Sequence, residues 1–475
     1  MARKQGFRTS DPADCILVNS PDTLHSTHYL ADPKIPLGLL YIASYLRSHG
    51  VTVRLLDCHT HAYEAGQLVQ TIKDTKPYLV GLNITTPNRK AVYEAAGKIK
   101  LEAKPPLVII GGPHASCLPS DVFAEVPYID GLVMGEGEEV VLQLLQNRGA
   151  VASFPGFCAK ADMHNGAAKR LAPRIGNLDS LPAPAYDLID ISKYTAVSPE
   201  LYLASSRGCR YDCVFCCSRA LLGKGVIFRS AGSVYSEILQ LKEQYGINSF
   251  YFYDDNLLIW PELVQFCNRI CPPSFQWTAQ ANINDLEADM IPRLASAGCS
   301  RLSFGFESGS TDIQEYIGKV VKPDALQKIS KLYEAGISSR AFFIVGFPNE
   351  TIRDILETAK LMIKLRIAGL ADVAIFPARP FPGTRLFTDC LSISGQSEIG
   401  DLLEFQYLED FRNEPEPWIR ARLHRYNTIP SFQINRYFDS RQIRKITRNL
   451  YDIFHRYTYF AEMSDCEISL YVSSP

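Results

Sequence analysis

Long apolar runs are missing from this sequence. No segment of its 475 residues reaches the ~18 uninterrupted apolar residues that a membrane helix needs, so no membrane span is expected. The opening stretch, MARKQGFRTSDPAD, has basic residues without an apolar run behind them, and a secretory signal is not expected. An excess of one charge is missing too. Lys plus Arg number 49 against 51 Asp plus Glu, a formal net charge of −2, which excludes binding of nucleic acid or a membrane surface through bulk charge. Internal repeats and low-complexity tracts are absent. The chain is expected in the cytosol, with its 13 cysteines reduced. With 46% apolar and 21% charged residues it reads as globular, and its length implies two or three domains.

Cysteine is unevenly spent. Four of the 13 fall between Cys209 and Cys217, inside SSRGCRYDCVFCCSR; the other nine are scattered and read as small core hydrophobes. Cys209, Cys213 and Cys216 follow the spacing C-x3-C-x2-C, so three thiolates on a short loop can converge on a soft metal centre. One coordination position lacks a local ligand. Structural zinc wants a closed set of four, yet Cys217 points away from its neighbour and no second C-x2-C or H-x3-H pair follows. A [4Fe–4S] cluster with one open iron fits better, zinc being the alternative, and Cys217 reads as a buried neighbour.

The motif, here CRYDCVFC, resembles the signature of the radical S-adenosylmethionine (SAM) superfamily. The resemblance implies that the open iron binds the amino and carboxylate groups of SAM. An electron from the cluster then cleaves the sulfonium to give a 5'-deoxyadenosyl radical. It also implies an electron donor such as a flavodoxin or ferredoxin. Phe215 matches the aromatic position that packs beside the adenine.

Downstream, six apolar runs alternate with helical patterns: 201–206, 248–255, 275–282, 299–308, 338–347 and 371–380. Between the first two, Val234, Ile238, Leu241 and Tyr245 share one helix face. Such an array predicts a partial parallel (β/α)6 barrel with the cysteine loop at its C-terminal face. Polar groups end several strands: Asp254-Asp255-Asn256, Thr278 and Gln280, Glu307-Ser308, and Arg379. GFESG (305–309), GFPNET (346–351) and FPGT (381–384) again resemble motifs of the family. By that resemblance Glu307 and Ser308 bind SAM, and Asp254 would join them, although YDDN replaces the GGE-like turn of other branches; Gln280, on the strand face it shares with Thr278, is a further candidate for SAM. Without a ligand, each reads as a capped βα turn.

The front third holds five apolar segments, at 15–21, 51–57, 78–86, 106–116 and 130–140, with a helix predicted over 36–50. This pattern predicts a doubly wound, Rossmann-like α/β domain with ligands at the strand C-termini. A dinucleotide fingerprint is missing, since no G-x-G-x-x-G follows the first strand. VGLNITT, VIIGGPHAS and GEGE instead resemble the cobalamin-binding domain that precedes the barrel in B12-dependent radical SAM enzymes. That resemblance places Asn83, Thr85, Thr86, Gly111, Gly112 and His114 along the pocket for the nucleotide tail, with Gly135, Glu136 and Gly137 at its rim. No DxHxxG follows the first strand, and DCHTHA (57–62) lacks the glycine, so cobalt without a protein histidine is expected, His59 and His61 being loop residues.

The expected organisation is a cobalamin-binding domain over 1–150, a proline-bearing connection over 151–198, a radical SAM barrel over 199–390 and a mainly helical C-terminal region over 391–475. In the last, Ile443, Ile446, Leu450, Ile453 and Phe454 form an apolar helix face, and ten basic against four acidic residues lie between Phe411 and Arg456. The region is either a solvated surface packed beside the barrel or a cap favouring an anionic substrate. The resemblance implies a methylase: the substrate radical, formed on a small molecule or peptide, takes a methyl group from methylcobalamin. Alternatives are a B12-binding cyclase, ring-contracting enzyme or oxidase, a vestigial front domain, and a non-enzymatic iron–sulfur or zinc module.

Overall fold

A computed structural model describes residues 12–20, 34–60, 65–148, 152–165, 170–394, 405–407, 428–430 and 435–473. The chain divides into two compact units, Met1–Leu203 with Cys217–Ile247, and Ala204–Cys216 with Asn248–Pro475.

The first unit is built on strands that read as unbroken apolar runs because helices cover both faces of the sheet. Cys15–Asn19 is buried at all five positions. The strand order is Val53–Asp57, Cys15–Asn19, Leu79–Asn83, Leu107–Gly111, Gly131–Val133 and Phe157–Ala159, parallel except for the last. The five strands expected from the sequence are all present. The sixth was not expected, and at three residues it is too short to show a period. Cys15–Asn19 has the second strand on one side and the third on the other, so the order reverses there, opening a crevice at the strand C-termini. The expected helix forms as Leu37–Ser48. The proline-bearing connection is tied down rather than free: Ala185 N donates to Leu40 O at 3.1 Å, and Tyr194 OH to Asp57 Oδ2 at 2.7 Å. The buried Arg229–Glu237 ion pair (2.5 Å) lies beside Tyr186.

In the second unit five parallel strands stand in the order Asp372–Pro377, Ser338–Val345, Cys299–Glu307, Gln276–Ala281 and Ser249–Phe252. The remaining expected strand forms as Leu201–Leu203, at the close of the first unit's leading segment. The helix expected between the first two is Ala231–Tyr245, its N-cap Ser230 accepting from Ser233 N at 3.1 Å. Aromatic side chains fill the core, with Phe252 edge-on to Trp277 and Phe266, both at 5.5 Å.

The C-terminal region is mainly helical, with Ser440–His455, Tyr457–Phe460 and Asp465–Ser473, plus an antiparallel pair of short strands, Phe405–Tyr407 and Thr428–Pro430. A capping box of Asp439 and Gln442 starts the first helix. Its apolar face, Ile443, Ile446, Leu450, Ile453 and Phe454, is buried, and the helix packs beside Ile352–Ile367 and Asp372–Pro377. Tyr451 OH accepts from Ile375 N at 2.9 Å. The described part is packed through this face; Arg412, Arg420, Arg422 and Arg425 lie outside the described residues. Among the scattered cysteines, Cys15, Cys58, Cys158, Cys267, Cys299 and Cys390 are buried as expected. Cys117 is half-buried, and Cys271 and Cys466 are exposed, correcting the reading of all nine as core: Cys271 directly follows the helix Leu263–Ile270, and Cys466 lies in the first turn of Asp465–Ser473.

The same region buttresses the turn after Ser338–Val345. Asn435 Nδ2 donates to Phe347 O at 2.5 Å and Glu350 O at 2.8 Å. Gly346 has φ +91, and a Cβ there would stand 2.9 Å from Ile443. Inside the turn, Glu350 Oε2 accepts from Gly346 N at 2.5 Å and Phe347 N at 3.3 Å, while the buried Oε1 has no partner. Burial pushes the Glu350 carboxyl up to about 8, against the two backbone donors. An acid whose folded value is raised binds its proton more tightly when folded, so its contribution to stability is lost as pH rises from about 4.5 to about 8. Chemical denaturation at pH 6 and pH 9 should show Glu350→Gln gaining on the wild type by about 2–3 kcal/mol across that interval. Parallel profiles would contradict the assignment.

Candidate functional site

The cysteine loop leaves the short strand Ser206–Arg207 through Gly208 at φ +96, a conformation that glycine adopts without cost. Cys209 and Cys213 are half-buried and Cys216 is exposed, while Cys217, expected as a buried neighbour, is half-buried. Cys216 N donates to Cys213 O at 3.0 Å, a tight turn that folds the last two toward each other. The loop is anchored from several sides. Val214 N donates to Ile317 O at 3.2 Å and Val214 O accepts from Leu386 N at 2.9 Å.

Asp285, just past Gln276–Ala281, is the main anchor. It pairs with Arg210 and accepts from Tyr211 OH at 2.8 and 2.9 Å and from Asn256 Nδ2 at 2.6 Å, with its own side chain 6% exposed. Asn256 Oδ1 in turn accepts from Asn282 N at 3.1 Å. The loop and two strand ends thus share one carboxylate. Sequence reasoning did not find Asp285, because these partners lie 29 to 75 residues from it in the chain.

Burial pushes the Cys209 thiol up and the Cys213 thiol up to about 11, and the nearby Lys319 charge pulls both the other way. Among the described residues no three His, Cys, Asp or Glu side chains are gathered on one point. The three thiolates of a cubane bind separate irons. The all-sulfur donor set, on one anchored loop, fits the cluster.

The other expected ligand residues divide into two kinds. Phe215 lies 6.3 Å from Phe347, which is edge-on to Tyr316 at 6.1 Å, making an aromatic wall beside the loop. Glu307 ends its strand at φ +65, where the pairing register shifts, a backbone state that costs a non-glycine residue about 1–2 kcal/mol. Its Oε1 accepts from Lys319 Nζ at 2.9 Å, while Oε2 has no hydrogen-bond partner among the described residues. Gln280 is half-buried and donates to Tyr251 OH.

Ser308 and Asp254 are spent on the protein itself. Ser308 Oγ meets Thr358 Oγ1 at 3.1 Å and accepts from Ser310 N at 3.1 Å. Asp254 accepts from Ser205 N and Oγ at 3.0 and 2.8 Å and from Ser206 Oγ at 2.5 Å. Burial holds its carboxyl up at about 6, the serine donors opposing it.

In the first unit, Asn83 closes the crevice at the order reversal: its Oδ1 accepts from Ser20 N at 2.6 Å and its Nδ2 reaches Asn19 Oδ1 at 3.4 Å. Thr85 is half-exposed, its N–H donating to Asn88 Oδ1 at 2.7 Å. Thr86 Oγ1 pairs with His114 Nδ1 at 3.1 Å, and Tyr93 OH with His114 Nε2 at 3.2 Å. Both ring nitrogens of His114 are thus committed, and burial, then Arg89, lowers it to about 4, keeping the ring neutral. Gly111 ends its strand, and Gly112, at φ +119, lies where a Cβ would stand 2.6 Å from Ile84 O. Gly135 N donates to Ser116 Oγ at 3.1 Å, Glu136 Oε2 accepts from Ile175 N at 2.7 Å, and Gly137 makes room for Ile42. His59 Nε2 contacts Ser20 O at 2.8 Å; His61 lies outside the described residues.

With this geometry in view, comparison with known proteins places both halves. Residues 203–362 match the radical SAM superfamily and residues 30–145 the B12 binding domain. The chain is 30% identical over 428 residues to an uncharacterized methyltransferase of Pyrococcus horikoshii, covering 88% of this chain and 87% of the relative. It is 24% identical to the cytidylyl-2-hydroxyethylphosphonate methyltransferase of Streptomyces wedmorensis, over 91% of each chain. The anaerobic magnesium-protoporphyrin IX monomethyl ester cyclase of Rubrivivax gelatinosus is 28% identical, over 78% of this chain and 67% of the relative. In structure, the radical S-adenosylmethionine methyltransferase TsrM of Kitasatospora setae, solved with cobalamin and a [4Fe–4S] cluster, shares the fold at TM-score 0.67 and 18% identity, across 83% of this chain and 77% of that one.

Removing the carboxylate of Asp285 leaves Tyr211 and Asn256 without their acceptor inside the protein. Asp285→Ala should lower stability by about 2–4 kcal/mol and reduce the iron retained after anaerobic reconstitution. Tyr211→Phe, which deletes one donor, should cost about 1 kcal/mol. Equal melting temperatures and iron contents for Asp285→Ala and wild type would remove the anchor.

Proposed function

Because the chain belongs to the radical SAM enzymes that carry a B12-binding domain, we propose that it methylates an unactivated carbon of a biosynthetic intermediate. It is a cobalamin-dependent enzyme of the methyltransferase type, with a [4Fe–4S] cluster, SAM and cobalamin as its cofactors. The observation that carries the proposal is likeness to a methyltransferase across 88% of the chain, front domain included. The cofactors supply a hydrogen-abstracting radical and a transferable methyl group, chemistry that no side-chain acid or base offers near neutral pH.

In this reading Cys209, Cys213 and Cys216 would hold the cluster on the loop that Asp285 anchors. Phe215, backed by Phe347, takes the adenine face. Glu307 Oε2 and Gln280 meet the polar groups of SAM, while Asp254 and Ser308 act from behind by fixing the turns that carry them. Asn83, Thr85 and Gly111 line the nucleotide-tail pocket; Thr86 and His114 form its wall, with Gly112 giving that wall room. Gly135, Glu136 and Gly137 form the rim, held by the Ile175 segment. Cobalamin would be held without a histidine ligand from this chain, and a flavodoxin or ferredoxin would supply the electron. The substrate is a small molecule or peptide, and an anionic one is in keeping with the phosphonate named for one relative.

The cyclase relative favours a second reading, the same cofactors without methyl transfer. SAM with a deuterated methyl group separates the two. Methylation gives a product carrying the label, with equimolar 5'-deoxyadenosine and S-adenosylhomocysteine. Turnover that yields 5'-deoxyadenosine with neither S-adenosylhomocysteine nor a mass gain would establish the cyclase-type reading instead.

A further inference from the structure

Lys319 follows Glu307 by twelve residues, outside every motif that marked the site. The helix Thr311–Ile317 ends on Gly318 in the left-handed conformation, and Lys319 N then donates to Gln314 O at 2.9 Å. This turn drives a long cationic side chain inward. Nζ comes to rest 2.9 Å from Glu307 Oε1, with the two side chains 11% and 6% exposed. Gly305 shows that the space is reserved: a Cβ there would strike both Glu307 Oε1 and Lys319 Nζ. The turn that carries Lys319 abuts the cysteine loop: Val214 N donates to Ile317 O at 3.2 Å, and a Cβ on Gly318 would stand 3.7 Å from Asp212 O. A lysine this buried keeps its charge because it is paired with a carboxylate at ion-pair distance.

Three thiolates give a [4Fe–4S] cluster a net negative charge, and reduction adds another. A cation held in a poorly solvated site favours the reduced form, and an anion at the same place disfavours it. Lys319 also occupies one oxygen of Glu307 and leaves Oε2 open. We propose that Lys319 is a positioning residue of the cluster site: its charge raises the cluster's reduction potential, and its bond to Oε1 aims Oε2 of Glu307 at the ligand.

The inference rests on the assignment of the three cysteines to the cluster, so the test separates the two. The full chain is reconstituted anaerobically, its iron counted, and its potential measured by a redox titration followed by electron paramagnetic resonance, without SAM. Lys319→Met should shift the potential to more negative values, Glu307→Gln to more positive ones, and Lys319→Arg should stay near the wild type. Opposite signs are the signature of charge, because a merely structural role moves both variants the same way. Titration with SAM should then show about tenfold weaker binding for Lys319→Met, the loss of a buried charge-assisted contact. Should Lys319→Met fail to hold iron, the positive shift of Glu307→Gln carries the test by itself. Iron-loaded variants with unchanged potentials, or shifts of one sign, overturn the role of Lys319 alone; a wild type that binds no iron overturns the cysteine assignment with it.

Discussion

A carboxylate buried in a protein must be paired, and this constraint organises the C-terminal edge of the barrel sheet. Four successive strands each end near one. Asp254 gathers Ser205 and Ser206 at the root of the cysteine loop. Asp285 gathers Arg210, Tyr211 and Asn256. Glu307 takes Lys319, and Glu350 takes the backbone of its own turn. Asp285 and Glu307 tie their loops by pairing a charge whose alternative, unpaired and buried, is costly, whereas Glu350, its carboxyl pushed up to about 8, holds its turn as an acid that is neutral near pH 7. The loops can therefore be irregular and still hold their side chains within narrow limits, as a radical site requires.

The first unit solves the same problem with neutral groups. At its order reversal the strand ends carry Asn19, Ser20 and Asn83, which bond to one another, and the wall behind them is completed by Thr86, His114 and Tyr93. Asp57, the acid among them, is consumed by Asn19, Thr60 and Tyr194. The proline-bearing connection that supplies Tyr194 is thus part of this unit's framework.

Most of the architecture was legible because it rests on local signals. Alternating apolar runs mark the strands, glycines such as Gly50 end helices, and C-x3-C-x2-C is confined to one loop. What escaped is what depends on distant parts of the chain. Asp285 and Lys319 look like ordinary loop charges, since neither periodicity nor spacing reveals that a residue 74 positions away will need an acceptor. Ser308 and Asp254 carried the chemical types expected of ligands, yet their donors and acceptors are satisfied by Thr358, Ser310, Ser205 and Ser206. The short edge strand Phe157–Ala159 is likewise set by its antiparallel partner and not by its own three residues.

In the proposed site the three thiolates of one anchored loop would hold the cluster and leave one iron for SAM. The measurement that tests it most directly is the electron paramagnetic resonance spectrum of the anaerobically reduced protein, recorded with and without SAM. A [4Fe–4S] signal whose g values shift on adding SAM is the predicted result. A spectrum unchanged by saturating SAM, or a protein that holds zinc and no iron, would contradict it.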